Sequence, residues 1–157
     1  IEICTSLGVT LKTIEDQVQF IALHTTTQNI CVTKGSKGAV LFYEGTFFYN
    51  DGYVVKVADT VGSGDSFLAT LIDALLKKVA PQKAIDTACA VGALVAKNKG
   101  ANPVISEQDI EAILIEWNFN RNNKIEIIPN RSTDKNDKNS VLSYSVDLLD
   151  IDCQKGP

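Results

Sequence analysis

Methionine is absent from all 157 residues, and the chain begins with Ile1. We therefore expect this sequence to be part of a longer protein or a form trimmed from one. Basic residues are few as well, because 15 lysines and arginines stand against 19 acidic residues and leave a net charge of -4. This balance provides no electrostatic footprint for nucleic acid or an anionic membrane surface, so neither is expected as a partner.

Long apolar runs and paired cysteines are also missing. No stretch reaches the roughly 18 apolar residues of a membrane span, and the N-terminus lacks a basic region followed by an apolar block, so neither insertion nor export is expected. The cysteines stand singly, without the close spacing of a zinc site or a redox motif. We expect reduced thiols, most of them small core residues, at Cys4, Cys31, Cys89 and Cys153. Reduced thiols favour a cytoplasmic protein.

The sequence does contain enough apolar material for one globular core, since 45% of its residues are hydrophobic. Apolar, β-favouring runs between glycine turns predict strands at residues 29–33, 39–43, 46–50 and 53–59. Apolar residues at helical spacing predict helices at residues 13–24, from 64 to the residues before Pro81, from Pro81 to about 98, and from Ser106 onward.

The composition changes after Trp117. The following residues are rich in Asn, Lys and Asp and poor in apolar side chains. Such a segment cannot bury enough apolar surface to offset the entropy of folding. We therefore predict a packed domain over residues 1–117 and a polar, poorly ordered tail over residues 118–157.

The sequence DTVGSGD, residues 59–65, places two carboxylates around small residues directly before an apolar helix, and we call it the DTVGSGD loop. A helix start presents unpaired amide groups and the positive end of the helix dipole, so the glycines and serine would let an anion approach the backbone. Neither familiar phosphate motif is present, because GxxxxGK[ST] matches neither glycine cluster and GxGxxG fails at Phe67. From these residues alone, Asp65 as a helix cap and Asp59 as a turn residue stay open.

Three stretches together resemble the C-terminal half of the ribokinase-like (PfkB) carbohydrate kinases, and among them the fructokinases. They are VTKGSKGAVLF at residues 32–42, VADTVGSGDSFLATLIDALL at 57–76 and AVGALVAKNKGANP at 90–103, and the resemblance covers residues 3–117. The family motif DTxGAGD is present with Ser63 in place of the commoner alanine. The resemblance implies a ribokinase-like layered α/β fold with a mainly parallel sheet flanked by helices. It also implies ATP-dependent phosphorylation of a sugar hydroxyl, with fructose as the expected sugar.

The resemblance assigns roles to individual residues. Asp65 would be the catalytic base, which accepts the proton of the sugar hydroxyl and so also contacts the substrate. The backbone amides of Gly62, Ser63 and Gly64 would form the anion hole. The segment TKGSKG at residues 33–38, named here the TKGSKG loop, corresponds to a nucleotide-binding loop, although by itself it is typical of a solvated hairpin. The implied nucleotide contacts are Thr33, Gly35, Ser36, Gly38 and Cys89.

Two metal ions are implied in the same way. Mg²⁺ would arrive with ATP and bridge its phosphates. A monovalent cation, often K⁺ in the family, would lie beside the anion hole and bind a carboxylate and main-chain oxygens. The residues implied for this cation are Asp59, Val61, Asn98 and Gly100.

No part of the sequence resembles the N-terminal half of the family, which carries the sugar-recognition residues and much of the sheet. Two alternatives to an active kinase therefore stay open. One is a truncated, non-catalytic remnant that retains nucleotide or phosphate binding, and the other is an interaction fragment whose polar tail contacts a partner. An open sheet edge is expected where the missing half would pair, and such an edge favours association, including homo-oligomers.

Overall fold

Five helices and three strands follow one another in the part of the chain that the computed structural model describes, residues 2–6 and 8–122. In chain order they are α1 (Glu2–Ser6), α2 (Ile14–His24), β1 (Ile30–Thr33), β2 (Ala39–Tyr43), β3 (Thr46–Asn50), α3 (Ser63–Leu76), α4 (Pro81–Lys97) and α5 (Glu107–Asn122). A short 3-10 helix, Gly35–Lys37, joins β1 to β2. The four predicted helices and the first three predicted strands are confirmed.

Three of the predicted helices begin at residues that suit a helix start. The Thr13 hydroxyl accepts a hydrogen bond from the Asp16 amide at 3.0 Å, directly before α2. Ser106 and Asp109 form a reciprocal capping box before α5, with the Ser106 amide donating to the Asp109 carboxylate at 2.9 Å and the Asp109 amide donating to the Ser106 hydroxyl at 3.2 Å. α4 begins at Pro81, whose missing amide hydrogen is not needed in a first turn.

The sheet is antiparallel, with strand order β1-β2-β3 in the described residues. The prediction of a mainly parallel sheet is therefore wrong for this part of the chain. The reason lies in the connections, because residues 34–38 join β1 to β2 and Glu44-Gly45 alone joins β2 to β3, whereas a parallel pair needs a crossover of about a dozen residues. Both residues of the tighter turn have positive φ, 47° and 83°, which suits a two-residue hairpin.

The fourth predicted strand, residues 53–59, does not form. This segment has no regular secondary structure, and the amides of Ala58 and Asp59 donate instead to the Ala96 carbonyl in α4, at 2.8 and 3.2 Å. Its Val54 side chain is fully exposed. The alternation of apolar residues predicted a strand, but the described part of the chain supplies no neighbouring strand for it, and strand pairing is what stabilises such a segment.

The main core lies between the sheet and α4. Leu41 of β2 and Ile85 of α4 are both buried in one cluster, and the strand register places Cys31 and Phe48 beside Leu41 on the same face. α3 and α5 pack against α4. α2 lies on the opposite face, where its residue Ala22 lines one cavity with Phe42 of β2. The described elements therefore form a layered α/β arrangement with helices on both faces of the sheet.

The C-terminal helix extends beyond the predicted domain boundary, since α5 continues past Trp117 to Asn122. Residues 123–157 lie outside the described residues, and the polar tail stays a prediction. None of the helices in the described part of the chain combines the length and the hydrophobicity needed to cross a bilayer. In the same part, β1 and β3 each pair with β2 alone, so both have an outer edge.

Candidate active site

The DTVGSGD loop leads directly into α3, whose first residue is Ser63. Gly62 precedes the helix with φ of 80°, in the left-handed region, and a Cβ atom at this position would overlap the Ala101 carbonyl oxygen. Glycine is thus required both for the backbone conformation and for the close approach of the segment after α4. Gly64 differs, because a Cβ atom placed there would meet nothing within 4 Å.

Backbone donors remain available at the start of α3. The Ser63 amide donates to the Thr60 carbonyl at 3.2 Å, so this predicted anion-hole donor already has a partner. The amides of Gly62, Gly64 and Asp65 donate to no backbone carbonyl in the described part of the chain. Unpaired amides at a helix start suit an anion, and the geometry favours these three over Ser63.

Asp65 is the third residue of α3, and its side chain is exposed. Among the described residues, no basic side chain forms an ion pair with the Asp65 carboxylate. The ion pair that these residues do contain joins Lys77 to Asp73, at the other end of α3. The carboxylate is therefore accessible to a ligand beside the helix start. Access of this kind is the first requirement of a proton acceptor.

Ser63 holds the start of α3 against α4. Its hydroxyl donates to the Gly92 carbonyl at 2.8 Å. A Cβ atom on Gly92 would come within 3.3 Å of the Ser63 carbonyl oxygen and 3.4 Å of the Phe67 Cβ, so the helices approach closely at this glycine. The serine that replaces the commoner alanine of the family motif therefore supplies a hydrogen bond between helices.

The Asp59 carboxylate connects the DTVGSGD loop to the segment after α4. One oxygen accepts from the Val61 amide at 3.0 Å and the other from the Gly100 amide at 3.1 Å. These hydrogen bonds, first that from Val61, lower the pKa of Asp59. Three residues predicted around a cation are thereby brought together, and the fourth, Asn98, follows α4 as its C-cap, two positions before Gly100.

The oxygen atoms of this region fit a hard cation better than a soft one. In residues 2–6 and 8–122, no three His, Cys, Asp or Glu side chains come together as metal ligands. A cation beside Asp59 would therefore depend on main-chain carbonyl oxygens for most of its ligands.

The TKGSKG loop is a tight turn held by its own backbone. The Lys34 amide donates to the Gly38 carbonyl at 2.7 Å, and the Gly38 amide donates to the Gly35 carbonyl at 3.1 Å. Both glycines have positive φ, but of the two only Gly38 is buried. It lies so close to the Asn50 carbonyl oxygen that a Cβ atom at this position would overlap it. Three of the predicted nucleotide contacts are exposed on this loop: Thr33, Gly35 and Ser36.

Cys89 lies in α4 close to the TKGSKG loop and is 8% exposed. Burial raises its pKa to about 12, with smaller contributions from Cys31 and Asp86, whereas the nearby Lys34 acts to lower it. The thiol is therefore protonated at neutral pH and suits packing rather than nucleophilic chemistry. Burial likewise raises the pKa of Cys31 to about 11. Free thiols, as predicted, are found at Cys4, Cys31 and Cys89, whereas Cys153 lies outside the described residues.

One face of α4 connects the two loops. Asp86 and Cys89 lie on the side of the TKGSKG loop, and Gly92 and Ala96 accept hydrogen bonds from the DTVGSGD side. Their spacing of three, three and four residues places them on one stripe of the helix. The axial distance from Asp86 to Gly92 is about 9 Å at the usual helical rise. Motifs that are far apart in sequence therefore stand side by side on one helix.

A buried polar network behind the TKGSKG loop was not predicted from the sequence. Asn50 is 1% exposed, and its side-chain amide group donates to the Asp86 carboxylate at 2.7 Å. The Tyr53 hydroxyl donates to the Asp86 carbonyl at 3.2 Å, and burial raises the pKa of this phenol well above its usual range. The side-chain amide of Gln82 donates to the same carboxylate oxygen at 2.9 Å. The sequence shows Asn50 only as the last residue of a predicted strand, because its partner lies 36 positions away.

Comparisons with known proteins identify similar chains. The family model described as pfkB family carbohydrate kinase matches residues 2–108. Among curated relatives, the 2-dehydro-3-deoxygluconokinase of Thermoproteus tenax is 32% identical over 88 residues, which cover 55% of this chain and 27% of that protein.

Solved structures give the same result. The ribokinase of Thermotoga maritima is 25% identical with a TM-score of 0.60, over 71% of this chain and 37% of that one. A double mutant of the Vibrio cholerae fructokinase, bound to fructose, ADP and a potassium ion, is 29% identical with a TM-score of 0.56, over 68% and 36% of the two chains. This chain spans about a third of the length of these proteins. The matches confirm the resemblance and the ribokinase-like layered fold.

Proposed function

The chain belongs to the pfkB family of carbohydrate kinases, and we propose that it supplies the ATP site, the anion hole and the catalytic base of an enzyme that phosphorylates a sugar hydroxyl. The observation that carries this proposal is that one face of α4 holds the DTVGSGD loop directly and the TKGSKG loop through the turn at residues 50–52. A phosphoryl donor at the first loop and an acceptor hydroxyl at the second would be held in a fixed relation. Positioning of this kind supplies most of the catalysis in phosphoryl transfer.

Asp65 is the proposed catalytic base and a contact to the sugar. Its carboxylate is exposed at the helix start and has no ion-pair partner among the described residues. It would accept the proton of the attacking hydroxyl. Because the transition state is loose, the nucleophile loses its proton late, and a carboxylate is a sufficient base.

The amides around Gly62, Ser63 and Gly64 are the proposed anion hole for the transferring phosphoryl group. Donors that already point to the site stabilise developing negative charge without reorganisation. Because the Ser63 amide is shared with the Thr60 carbonyl, the amides of Gly62, Gly64 and Asp65 are the donors that support this role best.

ATP is proposed to bind at the TKGSKG loop, and Mg²⁺ bound with it would neutralise charge on its phosphates. The exposed backbone and hydroxyl groups of the loop would contact the nucleotide, and Cys89 would pack beside it as a neutral thiol. A potassium ion is proposed next to the Asp59 carboxylate, where Val61 and Gly100 converge and Asn98 lies close in sequence. The V. cholerae fructokinase structure contains ADP and a potassium ion, which supports the binding of both kinds of ligand.

Fructose is the proposed sugar. The similar proteins are named for different sugars, and the fructokinase structure holds fructose itself. The free thiols of the described residues support a cytoplasmic location for the reaction.

The test compares sugar phosphorylation by the wild-type chain and by Asp65→Asn, with fructose, ribose and 2-dehydro-3-deoxygluconate as acceptors and ATP as donor. Loss of a general base should lower kcat by roughly 10²–10⁴-fold, with ATP binding preserved. Asp16→Asn is the matched control, because Asp16 is also an exposed aspartate at the third position of a helix. Equal turnover by Asp65→Asn and the wild type would remove Asp65 from this role.

A second candidate function is a non-catalytic protein that binds nucleotide or phosphate. The observation that favours it is that the unpaired amides of Gly62, Gly64 and Asp65 can bind an anion whether or not phosphoryl transfer follows. In that case the wild-type chain would bind ATP, phosphorylate none of the three sugars and be insensitive to Asp65→Asn. Titration of ATP alongside the kinase assay distinguishes the two candidates.

A further inference from the structure

We propose that Asn50 and Asp86 are positioning residues that hold the TKGSKG loop in its nucleotide-binding conformation, an inference that rests on the function proposed for that loop. The loop packs backbone against backbone on the turn at residues 50–52. A Cβ atom on Gly38 would overlap the Asn50 carbonyl oxygen, and a Cβ atom on Gly52 would overlap the Ser36 carbonyl oxygen. With no space for a methyl group between them, the two segments move together.

The Asn50 side chain determines the conformation of this supporting turn. Its oxygen accepts from the Gly52 amide at 2.8 Å, which closes the turn, and its amide group donates to Asp86 at 2.7 Å, which attaches the turn to α4. Asn50 is 1% exposed. Without the Gly52 hydrogen bond the buried Asn50 oxygen would lose that partner, and without the Asp86 hydrogen bond the amide group would keep only its longer contact to the Tyr53 hydroxyl, at 3.4 Å. Other turn conformations are therefore disfavoured.

The Asp86 carboxylate is held on its own side by Gln82. The Gln82 amide group donates to the same Asp86 oxygen as Asn50, at 2.9 Å, and also donates to the Tyr49 carbonyl at 2.9 Å, one residue before Asn50. Asp86 also precedes Cys89 by one helical turn. The network therefore links the end of β3, the face of α4 and the TKGSKG loop.

Chemical polarity makes this network testable. Asn50→Asp keeps the shape and the acceptor for the Gly52 amide, but it sets a carboxylate against the carboxylate of Asp86. Adding Asp86→Asn exchanges the donor and acceptor and restores the hydrogen bond between the two positions. The Gln82 amide, which donates to this Asp86 oxygen in the wild type, can turn over and present its own oxygen to the new amide group, because its other hydrogen bond, to the Tyr49 carbonyl, is exposed to water. An effect that arises from loop positioning should appear in the single variant and disappear in the exchange.

The experiment titrates the full chain with a fluorescent Mg²⁺-ATP analogue and records amide hydrogen exchange over residues 35–38. Asn50→Asp should weaken nucleotide binding about tenfold, the size expected for one buried hydrogen bond, and should speed exchange in the loop. The double variant should recover most of both. Val18→Ala is the control, because Val18 is 2% exposed in α2, on the opposite face of the sheet, and its loss lowers stability without touching the loop.

Three outcomes would overturn the inference. They are unchanged binding in Asn50→Asp, equal loss of affinity in Val18→Ala at equal loss of thermal stability, and no recovery in the double variant. If the wild-type chain binds no nucleotide, the proposed function fails, and the exchange data decide the inference separately. If amide exchange in the loop is faster in Asn50→Asp and returns to the wild-type rate in the double variant, the positioning role is supported. If the exchange rate is unchanged in Asn50→Asp, the positioning role is wrong.

Discussion

The TKGSKG loop and the DTVGSGD loop are held in place by different kinds of contact. Behind the TKGSKG loop, a buried side-chain network centred on Asn50 and Asp86 supports the turn on which the loop rests. The DTVGSGD loop is exposed and is held by main-chain amides that donate to Asp59 and by the close approach at Gly62. Both loops therefore depend on residues distant in sequence, but the first is supported by buried side chains and the second by main-chain groups of α4 and of the segment after it. Substitutions should affect the two loops differently.

The largest expected effect is at Gly38. Gly38→Ala places a methyl group into the Asn50 carbonyl at positive φ, so it should lower the free energy of unfolding by roughly 3 kcal/mol or more. Gly35→Ala has positive φ but open space around its Cβ, so strain alone should cost about 1 kcal/mol. Urea denaturation of both variants measures the difference. Equal losses would mean that contact with the turn at residues 50–52 does not constrain this loop.

A smaller effect is expected in the DTVGSGD loop. Gly62→Ala should lower the free energy of unfolding by about 2 kcal/mol, because it strains the backbone and displaces the Ala101 carbonyl, although this loop can yield into solvent. Gly64→Ala lies in the same helix start with open space, and it should raise stability by roughly 0.5–1 kcal/mol through helix propensity. The same urea titration compares them. A stable Gly62→Ala would show that the approach of the segment after α4 is not required.

The smallest expected effect is the pH dependence of Asp59. Amides of Val61 and Gly100 lower its pKa in the folded protein below the unfolded value, which is about 3.9 for an ordinary aspartate. Its contribution to stability is therefore present above about pH 4 and is lost as the pH falls through the folded pKa. The urea midpoint of Asp59→Asn should lie slightly below that of the wild type at pH 7, and the gap should close toward pH 2.

Asp51→Asn is the control for this measurement, because Asp51 is an exposed aspartate in the turn at residues 50–52. Its midpoint should differ little from that of the wild type at either pH. A gap for Asp59→Asn that widens in acid would contradict the role of the two amides.

Local chemistry explains which parts of the fold were predictable. The capping residues Thr13 and Ser106 act on amides a few positions away, so the helix starts were read correctly. The short links around β2 already favoured antiparallel strands, and they were a better guide than the parallel sheet implied by the family resemblance. The strand predicted at residues 53–59 was wrong, because alternating apolar residues indicate a tendency to form a strand but not the presence of a partner strand.

The amino-acid sequence alone determined the family motif, the helix starts and the hairpin, because each of these depends on neighbours within a few positions. It could not show that Asp86 supports Asn50 or that Gly92 receives Ser63, since these partners are 36 and 29 positions apart. Packing of α4 against the sheet and α3 decided those contacts. The strength of each also depends on burial, which exists only once the helix, the sheet and both loops have come together.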